Sequence, residues 1–376
     1  MGKVTRGRKA AGSALRAVSR GRRLDLALGE VEDGLPDQER RWVHEAVYGT
    51  VRLRGRLDFL LGQHLRRGLS SLSPLFLDML RLGSYQLLYM DAVPAYAAIS
   101  QTVEQARKVA DAGGARLANG VLRSLEREGA DVSRFPDFRD DPAGHLSTWG
   151  SHPKWLIEGW LRRWSPEEVR QIVDSNNTPA PNSFRPLGVG TTEALTHLKG
   201  AGWGGREVGP GIPCIYLDHG TDPAQILKAV PGIMQDPAAA LVTLYADFPS
   251  GVGVGDLCAA PGGKALAVAQ GGSYVLAADR SRNRMRLLQE NLGRLGGAMD
   301  LVVARAEEPP FRELPNLLLD VPCSGTGTLR RNPDARWRLA GETVDELGRL
   351  QRRMLEEGSR LVPAGGLLVY STCSLE

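Results

Sequence analysis

The sequence predicts a multi-domain protein: an all-α N-terminal region, a small mixed connecting subdomain, and a C-terminal α/β domain with a doubly wound parallel sheet. Three observations carry this reading. Residues 10–130 read as helical throughout, with apolar side chains at helical spacing. From residue 235 onward short apolar runs alternate with helical stretches, the pattern of a parallel sheet with crossover helices. Turn-rich breaks at 131–150 and at Asn176–Pro181 interrupt the chain. A chain of 376 residues has room for two or three domains, each with its own core.

The elements follow in order. In the helical region, assigned to residues 1–132, Trp42, Val43, Ala46 and Val47 form one apolar stripe. Phe76, Leu80, Gly83 and Leu87 form the next, behind a helix start at Ser73-Pro74. Both stripes are core and carry no chemistry. Residues 133–150, rich in Asp, Pro and Gly, read as a linker. The connecting subdomain, 151–234, opens with a helix over Pro153–Trp164 and continues in short apolar runs such as Ile212–Leu217. In the last domain, 235–376, the expected strands are Val252–Leu257, Tyr274–Asp279, Leu301–Ala304, Leu317–Asp320 and Leu367–Ser371. The expected helices are Lys264–Gln270, Arg282–Leu295 and Val344–Leu361.

Composition narrows the function classes. No apolar run is long enough to span a membrane, and the N-terminus lacks an apolar signal core. Cys214, Cys258, Cys323 and Cys373 lie far apart with no C-x-x-C pair, so neither a disulfide framework nor a metal site is expected. A reducing cytoplasm fits that usage. The net charge of +4 is unevenly spread. Lys3, Arg6, Arg8, Lys9, Arg16, Arg20, Arg22 and Arg23 face no acid before residue 24. Further arginines cluster at Arg52, Arg54 and Arg56, and at Arg330, Arg331, Arg336 and Arg338. Such clusters suit a polyanion, or else simply a solvated face.

The chemistry gathers at strand ends. Cys258-Ala259-Ala260-Pro261-Gly262-Gly263-Lys264 joins the first expected strand to its helix. Small residues there let a ligand approach the backbone, and the helix start supplies free N–H donors. The turn is no Walker A loop: Cys258 stands five before Gly263, where a glycine is needed, and Ala265 replaces the Ser/Thr. Asp279, at the end of the second strand, stands where an acid can bind a ribose. The alternative is an N-cap for the following helix. Asp320 and Cys323 close the fourth strand, and Cys373 the fifth. A lone free Cys is commonly a small buried hydrophobe. Two at neighbouring strand ends favour reactivity, because a thiolate is a soft nucleophile. The reaction that fits is methylation of a pyrimidine carbon. A thiolate adding to C6 of cytosine makes C5 nucleophilic; an acid near N3 stabilises the adduct, and a base then takes the C5 proton. Cys373, Asp320 and Cys323 would supply these groups.

Three stretches, DLCAAPGGK (256–264), DVPCSGTGTLRRNPDARW (320–337) and YSTCSLE (370–376), resemble the Nop2/Sun family of RNA cytosine-C5 methyltransferases. VPAYAAISQTVEQAR (93–107) and LANGVLRSL (117–125) resemble a NusB-like helical RNA-binding domain. SHPKWLIEGW (151–160) and MQDPAAALV (234–242) resemble connecting and pre-catalytic segments of the bacterial 16S ribosomal RNA branch. The resemblance implies an all-α NusB-like domain and a Rossmann-like class I methyltransferase domain. It implies S-adenosyl-L-methionine as cofactor, held by Cys258, Ala259, Ala260, Pro261, Gly262, Gly263, Lys264, Asp279, Asp320 and the position of Arg305. It implies Cys373 as nucleophile, Cys323 as the cysteine that helps release product, and Asp320 as the acid near the cofactor methyl. Arg330, Arg331, Arg336 and Arg338 would contact RNA phosphates. The implied partner is 16S rRNA in an unassembled or partly assembled small subunit, with neither metal nor membrane, and the protein a monomer.

Four departures qualify the resemblance. Arg305 stands where the family carries an acid, with Glu307 as a substitute nearby. Gly255 replaces an apolar residue and is expected to loosen its strand. Ala265 replaces a Thr. The family pattern continues beyond Glu376 with a helix and two strands, so the chain reads as C-terminally truncated with an incomplete sheet, and lowered activity is expected. Two other functions compete: an RNA-binding protein with a degenerate methyltransferase domain, and a transfer-RNA methyltransferase.

Overall fold

A computed structural model describes residues 4–376, apart from the side chain of Asp111. Lys3 of the N-terminal basic run lies outside the described residues. The chain divides into two compact units. The first runs to Pro179 and includes Gly325–Gly341 and Ser374–Glu376; the second comprises Ala180–Ser324 and Glu342–Cys373. Among the described residues, no helix is long and apolar enough to cross a membrane.

The first unit is helical: α1 (Arg6–Ser19), α2 (Leu24–Glu32), α3 (Asp37–Arg52), α4 (Arg54–Gly62), α5 (Pro74–Tyr89), α6 (Ala95–Glu128), α7 (Pro142–Thr148), α8 (Lys154–Leu161) and α9 (Pro166–Asn177). Local chemistry starts these helices. Ser73 accepts a hydrogen bond from the Phe76 N–H ahead of α5, with Pro74 in the first turn, as the Ser-Pro pair predicts. A Ser165–Glu168 capping box and Pro166 start α9. The expected stripes face the core, with Trp42 and Leu87 partly buried. Val43, Ala46 and Val47 pack with Leu15 and Leu28, and Phe76 and Leu80 pack with Leu122 and Leu125. Gly83 lets α5 approach α6: a Cβ there would lie 2.5 Å from Thr102 Oγ1. The stretch read as a linker holds α7, capped by the Asp141 carboxylate, with Leu146 buried.

The second unit carries two sheets. β1 (Ser183–Pro186), α10 (Thr191–Gly200), β2 (Gly205–Glu207), β3 (Ile215–Leu217), α11 (Pro223–Ala229) and β4 (Gly232–Met234) build an antiparallel sheet of order β2-β3-β1-β4. After α12 (Pro237–Ala246) come β5 (Val254–Asp256), α13 (Gly263–Gln270), β6 (Val275–Asp279), α14 (Arg282–Leu295), β7 (Met299–Val303) and β8 (Asn316–Asp320). α15 (Ala335–Arg338) belongs to the first unit; α16 (Gly341–Leu361) and β9 (Leu367–Ser371) complete the second. The order β7-β6-β5-β8-β9 is wholly parallel. The connections run outward on either side of β5, so the crevice for a ligand opens at the carboxyl ends of β5 and β8.

Burial explains the strand composition. Leu317, Leu318 and Leu319 are all fully buried, as both faces of a parallel strand require. Gly255 does not loosen β5. A Cβ there would lie 2.5 Å from Leu314 Cδ1, so the leucine fills the place of the missing side chain.

Candidate active site

The cofactor-like turn leaves β5 at Asp256. The Cys258 N–H donates to Asp256 Oδ1 at 3.2 Å, and the Ala259 N–H donates to Ala278 O at 2.9 Å, tying the turn to β6. Gly262 holds φ +109° at the start of α13, a conformation that L side chains rarely adopt. A Cβ on Gly262 would lie 2.3 Å from Leu288 Cδ1, and one on Gly263 would lie 2.9 Å from Gln235 Nε2. The turn is also held from outside. Arg284 on α14 donates to Ala260 O, and Asn291 donates to Pro261 O at 3.4 Å. Bare backbone therefore lies at the start of α13, where free N–H groups favour an anionic group.

Lys264 reaches from this helix to β8, its Nζ donating to Asp320 Oδ2 at 2.7 Å. On the other carboxylate oxygen, Ser371 Oγ donates to Asp320 Oδ1, also at 2.7 Å. That contact is a product of register, because Asp320 and Ser371 are cross-strand partners in the β8–β9 pair. Past them the two chains carry their cysteines together: Cys323 Sγ and Cys373 Sγ are 3.0 Å apart, within reach of a hydrogen bond. Neither cysteine is in a disulfide; Cys373 is exposed and Cys323 half-buried.

Acids gather under the turn. Burial pushes the Asp256 carboxyl up to about 7, helped by the charges of Asp320 and Asp279 and opposed by the Cys258 N–H and Lys264. Burial beside the same three acids also pushes the Cys258 thiol up, so it stays protonated at neutral pH. Cys373 is raised first by its hydrogen bond with Cys323, then by burial and by the charges of Cys323 and Asp320, while Lys264 works the other way. In the ligand-free protein Cys373 is therefore a thiol. Asp279 is 3% exposed; its Oδ1 accepts from the Ser281 N–H at 2.8 Å, and Arg284 Nη1 lies 3.3 Å from Oδ2. The N-cap of α14 is Ser281, whose side chain accepts from the Arg284 N–H, so Asp279 is not the cap.

The structure thus brings Cys258–Lys264, Asp279, Asp320, Cys323 and Cys373 into one unit around the ends of β5, β6, β8 and β9. The remaining sequence candidates fall elsewhere. Arg305, after β7, has an exposed side chain 3.9 Å from Glu307. Arg330 donates to the Thr178 and Pro179 carbonyls at 3.0 and 3.2 Å. Arg331 is half-buried, and Arg338, itself exposed, pairs at 3.0 Å with the buried Asp334. Arg336 is the correction. It is fully buried, donating to Ser151 O and Asn177 Oδ1 at 2.9 Å and to Asn176 O at 3.3 Å, so it cannot face a phosphate.

Sequence reasoning passed over Asp256, Ser371 and Arg284. Ser371 ends an apolar run, the signal already used for Asp279 and Asp320, whereas Asp256 lies inside the first expected strand. Arg284 carried no signal, because its role follows from how α14 lies against the turn. Among the described residues, no group of His, Cys, Asp and Glu could hold a metal ion.

The comparisons agree across the whole chain. The family model for 16S rRNA methyltransferase RsmB/F matches residues 251–376, and the NusB family model matches residues 5–127. The ferredoxin-like domain of RsmF/B-like methyltransferases matches residues 152–222. A methyltransferase of Mycobacterium tuberculosis is 34% identical, over 98% of this chain and 83% of its own length. The ribosomal RNA small subunit methyltransferase B of Vibrio vulnificus is 31% identical, over 98% of this chain and 87% of its own. The crystal structure of PH0851 superposes with a TM-score of 0.79 at 22% identity, covering 100% of this chain and 87% of that one, and shows the same fold. The chain belongs to the RsmB/F family of 16S rRNA methyltransferases.

Proposed function

We propose that the protein transfers a methyl group from S-adenosyl-L-methionine to C5 of a cytosine in 16S ribosomal RNA, through a covalent bond between Cys373 and C6 of the base. The observation that carries this reading is the pair of thiols 3.0 Å apart at the ends of β8 and β9, beside an Asp320 held on both oxygens. The relatives' names support the substrate.

The residues present fit the cofactor. Gly262 and Gly263, packed too tightly against Leu288 and Gln235 to carry a Cβ, bring bare backbone to the start of α13, which offers N–H groups to a carboxylate. Asp256, Asp279 and Asp320 gather acids around the turn whose mutual repulsion a sulfonium or an ammonium group would offset. Asp279 would take the ribose. When bound, the cofactor supplies an electrophilic methyl group.

The protein's own groups supply the rest. Cys373 passes its proton to the Asp320 carboxylate as its sulfur bonds to C6, which places the electron pair of the C5–C6 double bond on C5, and that proton goes on to N3. Asp320, oriented by Lys264 and Ser371, handles the proton at N3 that neutralises the ring during addition. After methylation the C5 proton must leave. Cys323 stands beside the reacting sulfur to take part in that step, after which the Cys373–C6 bond breaks and the double bond re-forms. A target base inside a stem must first be flipped out.

Cys373→Ser should lower methyl transfer to a small-subunit rRNA fragment by roughly 10³-fold or more, with cofactor binding kept. Transfer at the wild-type rate would sink the mechanism. Bisulfite sequencing of small-subunit rRNA from cells with and without the protein tests the substrate: loss of one protected cytosine is expected.

A further inference from the structure

The β8–β9 ladder stops short of both cysteines. Asp320 pairs with Ser371, the Val321 N–H donates to Ser371 O at 3.1 Å, and the chains then run on as loops carrying Cys323 and Cys373. Just there, α16 sends in one side chain. Gln351 Nε2 donates to Pro322 O at 2.8 Å, and Gln351 Oε1 accepts from Tyr370 Oη at 3.0 Å. Pro322 immediately precedes Cys323, and Tyr370 lies three residues before Cys373. A single planar amide thus grips the approach to each thiol, donating on one side and accepting on the other.

The platform beneath it is rigid. One turn along α16 from Gln351, Met354 is buried; Gly358 follows, so close to β8 that a Cβ would lie 2.6 Å from Leu319 Cδ1 and 2.9 Å from Leu317 Cδ2. The helix therefore cannot slide or roll on the strand without a clash. The residue type is also constrained. Glutamate would set a carboxylate against the Pro322 carbonyl oxygen, and methionine fills similar space while making neither bond.

We propose that Gln351 is a positioning residue for the reaction: it holds the Cys323 and Cys373 segments at the separation that the two thiols need to act in turn. The proposal rests on the reading of those cysteines as reacting groups, and its test is chosen to stand apart from methyl transfer. In the full chain, without RNA or cofactor, a thiol-bridging bimane reports how often the two sulfurs lie close enough to be joined.

Gln351→Met should slow bridging of Cys323 to Cys373 by roughly tenfold or more while total thiol content after denaturation stays the same. Tyr370→Phe, which removes one of the two bonds at a partly exposed site, should give an intermediate rate and carries the test if Gln351→Met fails to fold. In the methylation assay, Gln351→Met should lower kcat by roughly ten- to a hundredfold with KM for RNA and for cofactor unchanged. Gln351→Glu should not rescue either readout. Wild-type bridging rates in Gln351→Met, or in Tyr370→Phe where that variant carries the test, would overturn the proposal. Slowed bridging in the variants of a protein whose wild type transfers no methyl group would show that Gln351 holds the two thiols at their separation, and would overturn the reaction it is proposed to serve.

Discussion

At the scale of single residues, the site is an arrangement of acids that a cation would relieve. Asp256 is buried, beside Asp320 and Asp279, and its carboxyl titrates near 7 rather than in the ordinary carboxylate range. Between the unfolded value near 3.9 and the folded value near 7 the native protein binds more protons than the unfolded chain. Stability from this group is therefore complete below about pH 4 and is lost as pH rises through 7. Asp256→Asn keeps an oxygen for the Cys258 N–H and removes the charge. It should stabilise the cofactor-free protein at pH 8 by on the order of 4 kcal/mol, with the advantage fading as pH falls towards 4. Thermal midpoints of both proteins across that range check the prediction; an equal gap at every pH would refute it.

At the scale of elements, glycines decide how closely helices meet strands. Gly358 lets α16 rest on Leu317 and Leu319 of β8, just as Gly255 makes way for Leu314 and Gly83 for Thr102. Gly358→Ala gains helix propensity of about 1 kcal/mol and loses more through the clash with two buried leucines. The net expectation is a destabilisation of roughly 1–2 kcal/mol by urea denaturation. Methyl transfer should fall as well, because Gln351 rides on the same helix. A neutral or stabilising result would mean that the helix can shift outward at little cost. These contacts were not legible in the sequence, where Gly255 reads as a weak point and Gly358 carries no signal. A missing side chain cannot announce the neighbour that fills its place.

At the scale of the whole molecule, the second cysteine motif is divided between the two units. DVPCS belongs to the second unit, whereas GTGTLRRNPDARW belongs to the first. There Trp337 Nε1 donates to Val51 O at 2.8 Å, Asp334 accepts from the Leu24 N–H at 3.2 Å, and Arg336 gathers the carbonyls of residues 151 and 176. Burial and the charge of Arg52 lower the Arg336 guanidinium to about 9, which leaves it charged at neutral pH. Buried His152 is neutral, far below its usual range, and this spares the guanidinium a neighbouring charge. Arg336→Met should cost roughly 3–5 kcal/mol by leaving these carbonyls without a donor. It should also lower the thermal midpoint by roughly 10 °C. The salt dependence of RNA binding by the protein that remains folded should be unchanged. A reduced salt slope would instead make Arg336 a phosphate contact.

The sequence alone determined the alternation of strands and helices, the helix start at Ser73-Pro74, and the strand ends at Asp279, Asp320 and Ser371. Those signals are local, set by backbone sterics, capping and the period of apolar residues. Tertiary structure decided which strand ends become neighbours. Parallel pairing of β8 with β9 sets Ser371 on Asp320 and Cys373 against Cys323, residues about fifty positions apart in the chain. It also decided that Arg336, one of four similar arginines, goes inside. Charge in a sequence names a side chain's chemistry, whereas only packing determines whether water, a phosphate or a ring of carbonyls will meet it.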